Sequence, residues 1–217
     1  MKKQTNQIRI SEIFHSLQGE STTSGLPTTF IRLTGCPLRC QYCDTSYAFN
    51  GGTNFFINDI LKEVEQHQAQ YVCITGGEPL AQPAAIELMR SLCDLGYFVS
   101  IETSGARDIS KIDERVMVVM DLKTPGSEEE DKNLLDNLNY LKPTDQIKFV
   151  ICDHNDYIWS KNMILSHQLD KKAIILLSPS WNEQNPTQLA DWIIKDKLNV
   201  RFQIQLHKIL WNDEPGH

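Results

Sequence analysis

Read as a pattern of hydrophobic and polar positions, the chain alternates two kinds of segment. Short runs rich in β-branched, aromatic and aliphatic residues recur at 29–33, 71–74, 97–101, 116–120, 146–151, 173–177 and 200–206, and each predicts a strand. Between them, apolar residues spaced three and four apart predict helices over 58–67, 83–95, 128–138, 157–169 and 187–197. Strand and helix in alternation imply a parallel sheet with crossover helices, and the mostly apolar strand cores imply that both sheet faces are covered. The expected class is α/β, an open sheet or partial barrel, with ligands gathered in the loops that leave the carboxyl ends of the strands. No repeat, low-complexity tract or Gly/Pro/Ser-rich linker divides the chain, so one domain over residues 1–217 is expected. The acidic run Glu128-Glu129-Glu130-Asp131 reads as a solvated helix start favoured by the helix dipole.

Composition narrows the classes of partner. With 217 residues, 41% hydrophobic and 23% charged, the chain can bury one substantial core. Lys and Arg sum to 21 against 28 for Asp and Glu, and the net charge of -7 argues against nucleic acid as a direct partner. The opening MKKQTNQIRI lacks the apolar stretch of a secretory signal, and no run approaches the roughly 20 apolar residues of a membrane span. Cytoplasmic residence away from membranes is therefore expected. In that reducing compartment the six cysteines are better read as thiols than as disulfides, and clustered ones as a metal site.

Three of them do cluster. Cys36, Cys40 and Cys43 follow the first predicted strand with the spacing C-x-x-x-C-x-x-C. A closed structural zinc site wants four ligands, and neither Cys73 nor Cys93 belongs to a second close pair that would complete one. A [4Fe–4S] cluster held by three cysteines leaves one iron free to take the amino and carboxylate groups of a methionine moiety. Cys73 and Cys152 fall in strand patterns and Cys93 on the apolar side of a helix, where a thiol serves as a small hydrophobe. One predicted strand later comes Thr75-Gly76-Gly77-Glu78-Pro79, whose glycines permit a tight turn with close backbone approach and whose proline suits a helix start. Alone, that segment reads equally well as an ordinary strand-to-helix turn.

Together these motifs resemble the radical S-adenosylmethionine superfamily, with Tyr42 in the aromatic place before the last cysteine. The segment Gly76-Gly77-Glu78-Pro79 resembles the superfamily's GGEP motif, whose backbone cradles the methionine ammonium. Longer stretches narrow the resemblance. They are Glu12-Ile13-Phe14-His15-Ser16-Leu17-Gln18-Gly19-Glu20, Phe30 through Cys36, Cys43-Asp44-Thr45, Glu102-Thr103-Ser104-Gly105, Asp121-Leu122-Lys123, Gln146 through Val150 and Gln205-Leu206-His207-Lys208. Spread over nearly the whole chain, they resemble the 7-carboxy-7-deazaguanine synthase family.

That resemblance implies an incomplete (β/α) barrel of the radical S-adenosylmethionine type, assembled as a homodimer. It implies conversion of 6-carboxy-5,6,7,8-tetrahydropterin into 7-carboxy-7-deazaguanine with loss of ammonia, on the route to queuosine and related 7-deazapurines. An electron from a reduced flavodoxin-like donor would enter the cluster, and a 5'-deoxyadenosyl radical would take hydrogen from C6 of the pterin and later receive it back.

Residue roles follow from the same resemblance. Leu17, Gln18, Gly19, Arg32, Thr103 and His207 are expected at the substrate, Arg32 because its planar fork suits a carboxylate. Gly76, Gly77, Glu78, Gly105, Gln146, Ile147, Lys148, Ser178 and Trp181 are expected at S-adenosylmethionine, and Thr45 at Mg2+, a hard cation that takes oxygen ligands. Plainer readings stand beside these: a turn or cap at Asp44-Thr45, an outward strand residue at Arg32, a solvated Lys148, and a structural histidine at 207. Some members of the family end near a proline whose carboxylate helps bind substrate, whereas here Pro215 is followed by Gly216 and His217. Two other readings remain at this stage, an activating protein for a glycyl-radical enzyme and an interaction module with structural zinc.

Overall fold

The computed structural model describes residues 6–212 together with Glu214 and Gly216. The Pro215 ending lies outside the described residues. The first half runs β1 (Gln7–Leu17), β2 (Pro27–Leu33), β3 (Thr53–Phe56), α1 (Ile57–Gln66), β4 (Tyr71–Gly76), α2 (Ala85–Asp94), β5 (Phe98–Thr103) and β6 (Met117–Asp121). The second half adds β7 (Gln146–Ile151), α3 (His154–His167), β8 (Ile174–Pro179), α4 (Pro186–Asp196), β9 (Arg201–Phe202) and α5 (Leu206–Trp211). All nine strands form one sheet in the order β3-β1-β2-β4-β5-β6-β7-β8-β9. β1 is antiparallel to both β2 and β3, and from β2 onward each neighbouring pair is parallel. The outer strands β3 and β9 do not pair with each other, so the α/β sheet is an incomplete (β/α) barrel.

Strand side chains alternate between faces, and here the two faces differ in kind. Ile31, Ile74, Ile101, Val118, Ile147, Phe149, Ile175 and Leu177 are buried in one continuous core beneath the helices. Their neighbours Arg32, Thr75, Glu102, Val119, Asp121 and Lys148 line a cavity on the opposite face. The expectation of two apolar faces therefore holds for one face only; the other is polar because it encloses a site. Helix starts follow local rules. Asp153 caps α3 through the Asp156 N–H at 2.9 Å, and Asn185 caps α4 through the Gln188 N–H at 3.1 Å, with Pro186 opening that helix.

Four expectations need correction. The long strand β1 was not foreseen, because a bulge between Ile10 and Glu12 breaks its alternation; the four-residue β3 beside it was missed as well. Residues 128–138 form no α-helix but short 3-10 turns, and Glu128 takes a left-handed φ of 62°. Side chains there anchor the segment to backbone elsewhere in the chain. Asn133 brackets the backbone N–H and carbonyl of Lys123 at 2.9 and 2.8 Å. The wholly buried Asn137 accepts from the Ile109 N–H and donates to the Gly105 and Arg107 carbonyls. The acidic run consequently starts no helix, and Glu130 instead accepts the Trp159 indole N–H at 2.8 Å. Finally, the strand expected over 200–206 shrinks to the two residues of β9, and Leu206 begins α5, with its N–H on the Gly19 carbonyl at 3.0 Å.

Candidate active site

The loops after β2, β4, β5 and β6, with the segment after β1 and helix α5, enclose a cavity of ≈ 530 Å³. The loop after β2 carries Cys36, Cys40 and Cys43, all free, all half-buried and all on the cavity wall. Its backbone is fixed on several sides: the Gly35 N–H bonds Ala48 O at 2.8 Å, the Glu78 N–H bonds Gly35 O at 2.8 Å, and the Gln41 N–H bonds Ser127 O at 3.1 Å. Leu38 is buried between the first two cysteines, and Arg39 stacks its guanidinium 4.2 Å from the centre of the Phe49 ring.

The Gly76-Gly77 turn packs directly on this loop. A Cβ at Gly77 would strike the Gly35 carbonyl and the Cys36 side chain, and one at Gly76, whose φ is +134°, would strike the Leu33 backbone. Only glycine permits that approach. Burial pushes all three thiols above their ordinary pKa, Cys40 to about 11, with nearby Lys123 acting in the opposite sense. Iron ligation reverses that preference, since a coordinated thiol is held deprotonated. Three soft donors on one constrained loop, opening into one cavity, fit a cluster with an open iron corner. Among the described residues no group of three or more His, Cys, Asp and Glu is arranged to hold a single metal ion.

Below the cysteine loop lies a layer of paired charges. Arg32 Nε donates to Glu12 at 2.6 Å, and its guanidinium lies 5.5 Å from the Phe14 ring centre and 5.8 Å from that of Tyr47. Lys148 Nζ meets Glu20 at 2.6 Å, and Lys123 Nζ meets Asp121 at 2.9 Å. Burial favours the neutral amine at both lysines, but the facing carboxylates outweigh it and hold both pKa values above the ordinary range. Lys208 of α5 reaches Asp44 at 2.8 Å, and this pair outweighs the upward pull of burial and holds the Asp44 carboxyl below its ordinary pKa.

The structure brings together on the cavity wall Leu17, Gln18, Gly19, Arg32, Thr103 and His207, all expected at the substrate. Gly76, Gly77, Lys148 and Trp181 are there too, as is Thr45. Arg32 and Lys148 thus face inward and are not solvated. Other expected residues stand back from the wall. Glu78 is wholly buried, and its carboxylate accepts the Thr103 hydroxyl at 2.9 and 3.0 Å, the Ser104 N–H at 2.8 Å and the Leu80 N–H at 2.9 Å. Most of that charge is spent on joining the loops after β4 and β5, and the rest on capping its own turn at Leu80. Ile147 points into the core, Gly105 and Ser178 are buried outside the lining, and Gln146 bonds the Thr22 N–H and hydroxyl at 3.0 and 2.9 Å. Unforeseen on the wall are Glu20, Glu102, Asp121, Lys123 and Lys208. The period-two spacing of Asp121 and Lys123 at a strand end was the available signal, since it sets both on one face.

Residues 30–193 match the family model described as the Radical SAM superfamily, so the chain belongs to the radical S-adenosylmethionine enzymes. Membership brings a [4Fe–4S] cluster and S-adenosylmethionine as cofactors. The chain is 39% identical over 210 residues to the 7-carboxy-7-deazaguanine synthase of Chlorobaculum tepidum, covering 95% of this chain and 96% of that protein. It is 38% identical over 222 residues to the 7-carboxy-7-deazaguanine synthase of Koribacter versatilis, covering 95% and 98%. The crystal structure of QueE from Escherichia coli superposes with a TM-score of 0.77 at 25% identity, covering 93% of this chain and 95% of that one. Within the superfamily, the chain belongs to the 7-carboxy-7-deazaguanine synthase family. Neither the glycyl-radical activating protein nor the zinc module is favoured by these relatives. No helix among the described residues is long and apolar enough to cross a membrane.

Proposed function

We propose that the chain contracts the ring of 6-carboxy-5,6,7,8-tetrahydropterin to 7-carboxy-7-deazaguanine, releasing the lost nitrogen as ammonia. Residues 1–217 are read as one catalytic core with a substrate-binding N-terminal segment. The observation that carries the reading is one cavity whose wall holds the three thiols and the Gly76-Gly77 backbone together with Arg32, Lys148 and the Gln18–Gly19 segment. Such a chamber sets a cluster-bound cofactor against a small polar ring.

When bound, the cluster and S-adenosylmethionine supply one-electron cleavage and reversible hydrogen abstraction. The protein's part is binding, orientation and exclusion of water. Cys36, Cys40 and Cys43 hold the cluster, and Gly76 and Gly77 leave room beside it for the methionine end of the cofactor. Lys148 and Trp181 flank the cofactor, and the buried Glu78 keeps its pocket in register from behind. Arg32 carries no hydrogen bond on its two terminal nitrogens among the described residues, which leaves that fork for the substrate carboxylate. Leu17, Gln18, Gly19, Thr103 and His207 close on the ring. Thr45, whose Oγ1 donates to Asp44 at 2.9 Å, would hold Mg2+ through that hydroxyl oxygen, a hard donor that suits a hard cation. A reduced flavodoxin-like protein supplies the electron, the enzyme is a cytoplasmic homodimer, and its product feeds queuosine or a related 7-deazapurine.

The test is anaerobic turnover of 6-carboxy-5,6,7,8-tetrahydropterin by reconstituted enzyme with S-adenosylmethionine, Mg2+ and dithionite or flavodoxin. The expected result is 7-carboxy-7-deazaguanine and ammonia in equal amounts, with S-adenosylmethionine not consumed in proportion. A fully loaded cluster that yields no product overturns the reading.

A further inference from the structure

The long strand β1 changes face partway along. Ile8 and Ile10 lie in the core beneath the helices, and strict alternation would put residue 12 there as well. The ladder prevents this: Ile10 pairs with Leu33 and Glu12 with Arg32, so Ser11 is an extra residue in the strand. Its hydroxyl is pinned to that of Thr34 at 2.8 Å. Beyond the bulge the parity is reversed, with Ile13 packed against the core and Phe14 lining the chamber. Glu12 is thereby delivered to the face of its register partner, Arg32.

What Glu12 does there is written in its bonds. Its Oε1 accepts Arg32 Nε at 2.6 Å and the Tyr47 hydroxyl at 2.8 Å. A guanidinium can grip a carboxylate side-on, through Nε and one terminal nitrogen, or end-on, through both terminal nitrogens. With Nε taken by Glu12, only the end-on grip is left. Glu12 itself is not part of the lining and holds Arg32 from behind, whereas Tyr47 lines the chamber and turns its hydroxyl back to Glu12. The tyrosine stops that carboxylate from rotating, and its ring, centred 5.8 Å from the guanidinium, supports the same cation. Tyr47 is itself fixed, since it belongs to the short turn Ser46–Phe49, whose Ala48 carbonyl accepts the Gly35 N–H of the cysteine loop at 2.8 Å.

We infer that Glu12 and Tyr47 are positioning residues that aim the two terminal nitrogens of Arg32 at the 6-carboxylate of the substrate. This rests on the pterin reading above and adds the device that sets the grip. The bulge at Ser11 brings Glu12 to Arg32, and Tyr47 locks Glu12 in place. A ring that lacks the 6-carboxylate gains nothing from this arrangement and leaves the fork unpaired in a part-buried position, so the pair acts on selection of the carboxylate and not on the ring.

The experiment compares wild type, Tyr47→Phe, Glu12→Ala and the double variant, each with a reconstituted cluster at matched iron content and saturating S-adenosylmethionine. Dissociation constants are measured for 6-carboxy-5,6,7,8-tetrahydropterin and for 6-methyl-5,6,7,8-tetrahydropterin, which keeps the ring and lacks the carboxylate, and kcat and KM for the first. Tyr47→Phe keeps the ring beside Arg32 and removes only the hydroxyl. It is expected to raise Kd and KM for the carboxylated compound roughly 3- to 10-fold, the worth of one hydrogen bond, with kcat near wild type and the 6-methyl compound bound as before. Glu12→Ala should cost the carboxylated compound more, roughly 10- to 100-fold, as a charged partner is lost. Because Tyr47 acts through Glu12, the double variant should bind no more weakly than Glu12→Ala alone. If Glu12→Ala does not fold, Glu12→Gln, which keeps an acceptor for both neighbours, takes its place and should lose less than the tenfold limit. Equal weakening of both compounds in Tyr47→Phe, unchanged binding in Tyr47→Phe, or losses that multiply in the double variant would each overturn the assignment while leaving the enzyme's activity in place. If wild type neither binds nor converts the carboxylated pterin, the functional reading fails and this inference falls with it.

Discussion

The buried carboxylate of Glu78 accepts both the backbone N–H and the hydroxyl of Ser104, so the turn after β4 is fastened to the turn after β5 through one side chain. The glutamate of the glycine-rich motif thus acts on the site from behind its wall, where it sets the spacing between two loops.

Removing it should therefore be felt in stability before chemistry. Glu78→Ala leaves the donors of Leu80, Thr103 and Ser104 without their acceptor in a dry position. A loss of about 3 kcal/mol is expected, measured by urea unfolding of the cluster-free protein. S-Adenosylmethionine affinity should fall along with it. Unchanged stability would mean that the clamp contributes nothing to the fold.

Gly77→Ala tests close packing in place of hydrogen bonding. The new methyl group meets the Gly35 carbonyl and the Cys36 side chain, neither of which can move without displacing the cysteine loop. Turnover should drop more than roughly tenfold, in line with the sensitivity of catalysis to misplacement on the ångström scale. Anaerobic kinetics at matched iron content would show it.

The six cysteines should divide into two groups. Cys36→Ala, Cys40→Ala and Cys43→Ala are each expected to abolish turnover and bleach the cluster's visible absorption after reconstitution. Cys73→Ala, in the floor of β4 and away from the loop, should keep both. Full activity in any of the first three would contradict the ligand set.

A pH effect is expected far from the site. Asp196 at the end of α4 accepts Lys161 Nζ and the Tyr157 hydroxyl of α3, each at 2.8 Å, and these bonds hold its carboxyl below the ordinary pKa. A group whose folded pKa is depressed stabilises the fold above its unfolded value, about 3.9, and that contribution fades as pH falls through the folded value. Asp196→Asn should thus narrow the gap from wild type below about pH 4 while remaining less stable near neutrality. Melting temperatures from pH 3 to 7 would reveal the convergence.

Much of this architecture could be read from residue pattern. The parallel strands and four of the five expected helices lie where the apolar periodicity put them, because each buries one face in a shared core. What escaped has specific causes. The bulge after Ile10 hid β1, and the side chains of Asn133 and Asn137 tie residues 128–138 to the backbone of Lys123, Ile109 and Gly105, long-range anchors that no local periodicity displays. In the site, the cysteine spacing and the glycines were legible because their chemistry is local. Glu102 and Lys208 were not, since a charge in a strand or a late helix shows its role only when the fold brings it to the same chamber. Glu78 was legible as a motif residue and misjudged in orientation, for a pattern in one dimension does not say which way a carboxylate turns.

The His207 ring lies against Gly19, where any added side-chain carbon would collide with it. One wall of the chamber is therefore made by residues that leave the ribosome far apart in time. A nascent chain has its three thiols in hand once residue 43 has emerged, yet cannot seal the room around them until residue 207 follows. Throughout that interval the cysteine loop stays open on that side.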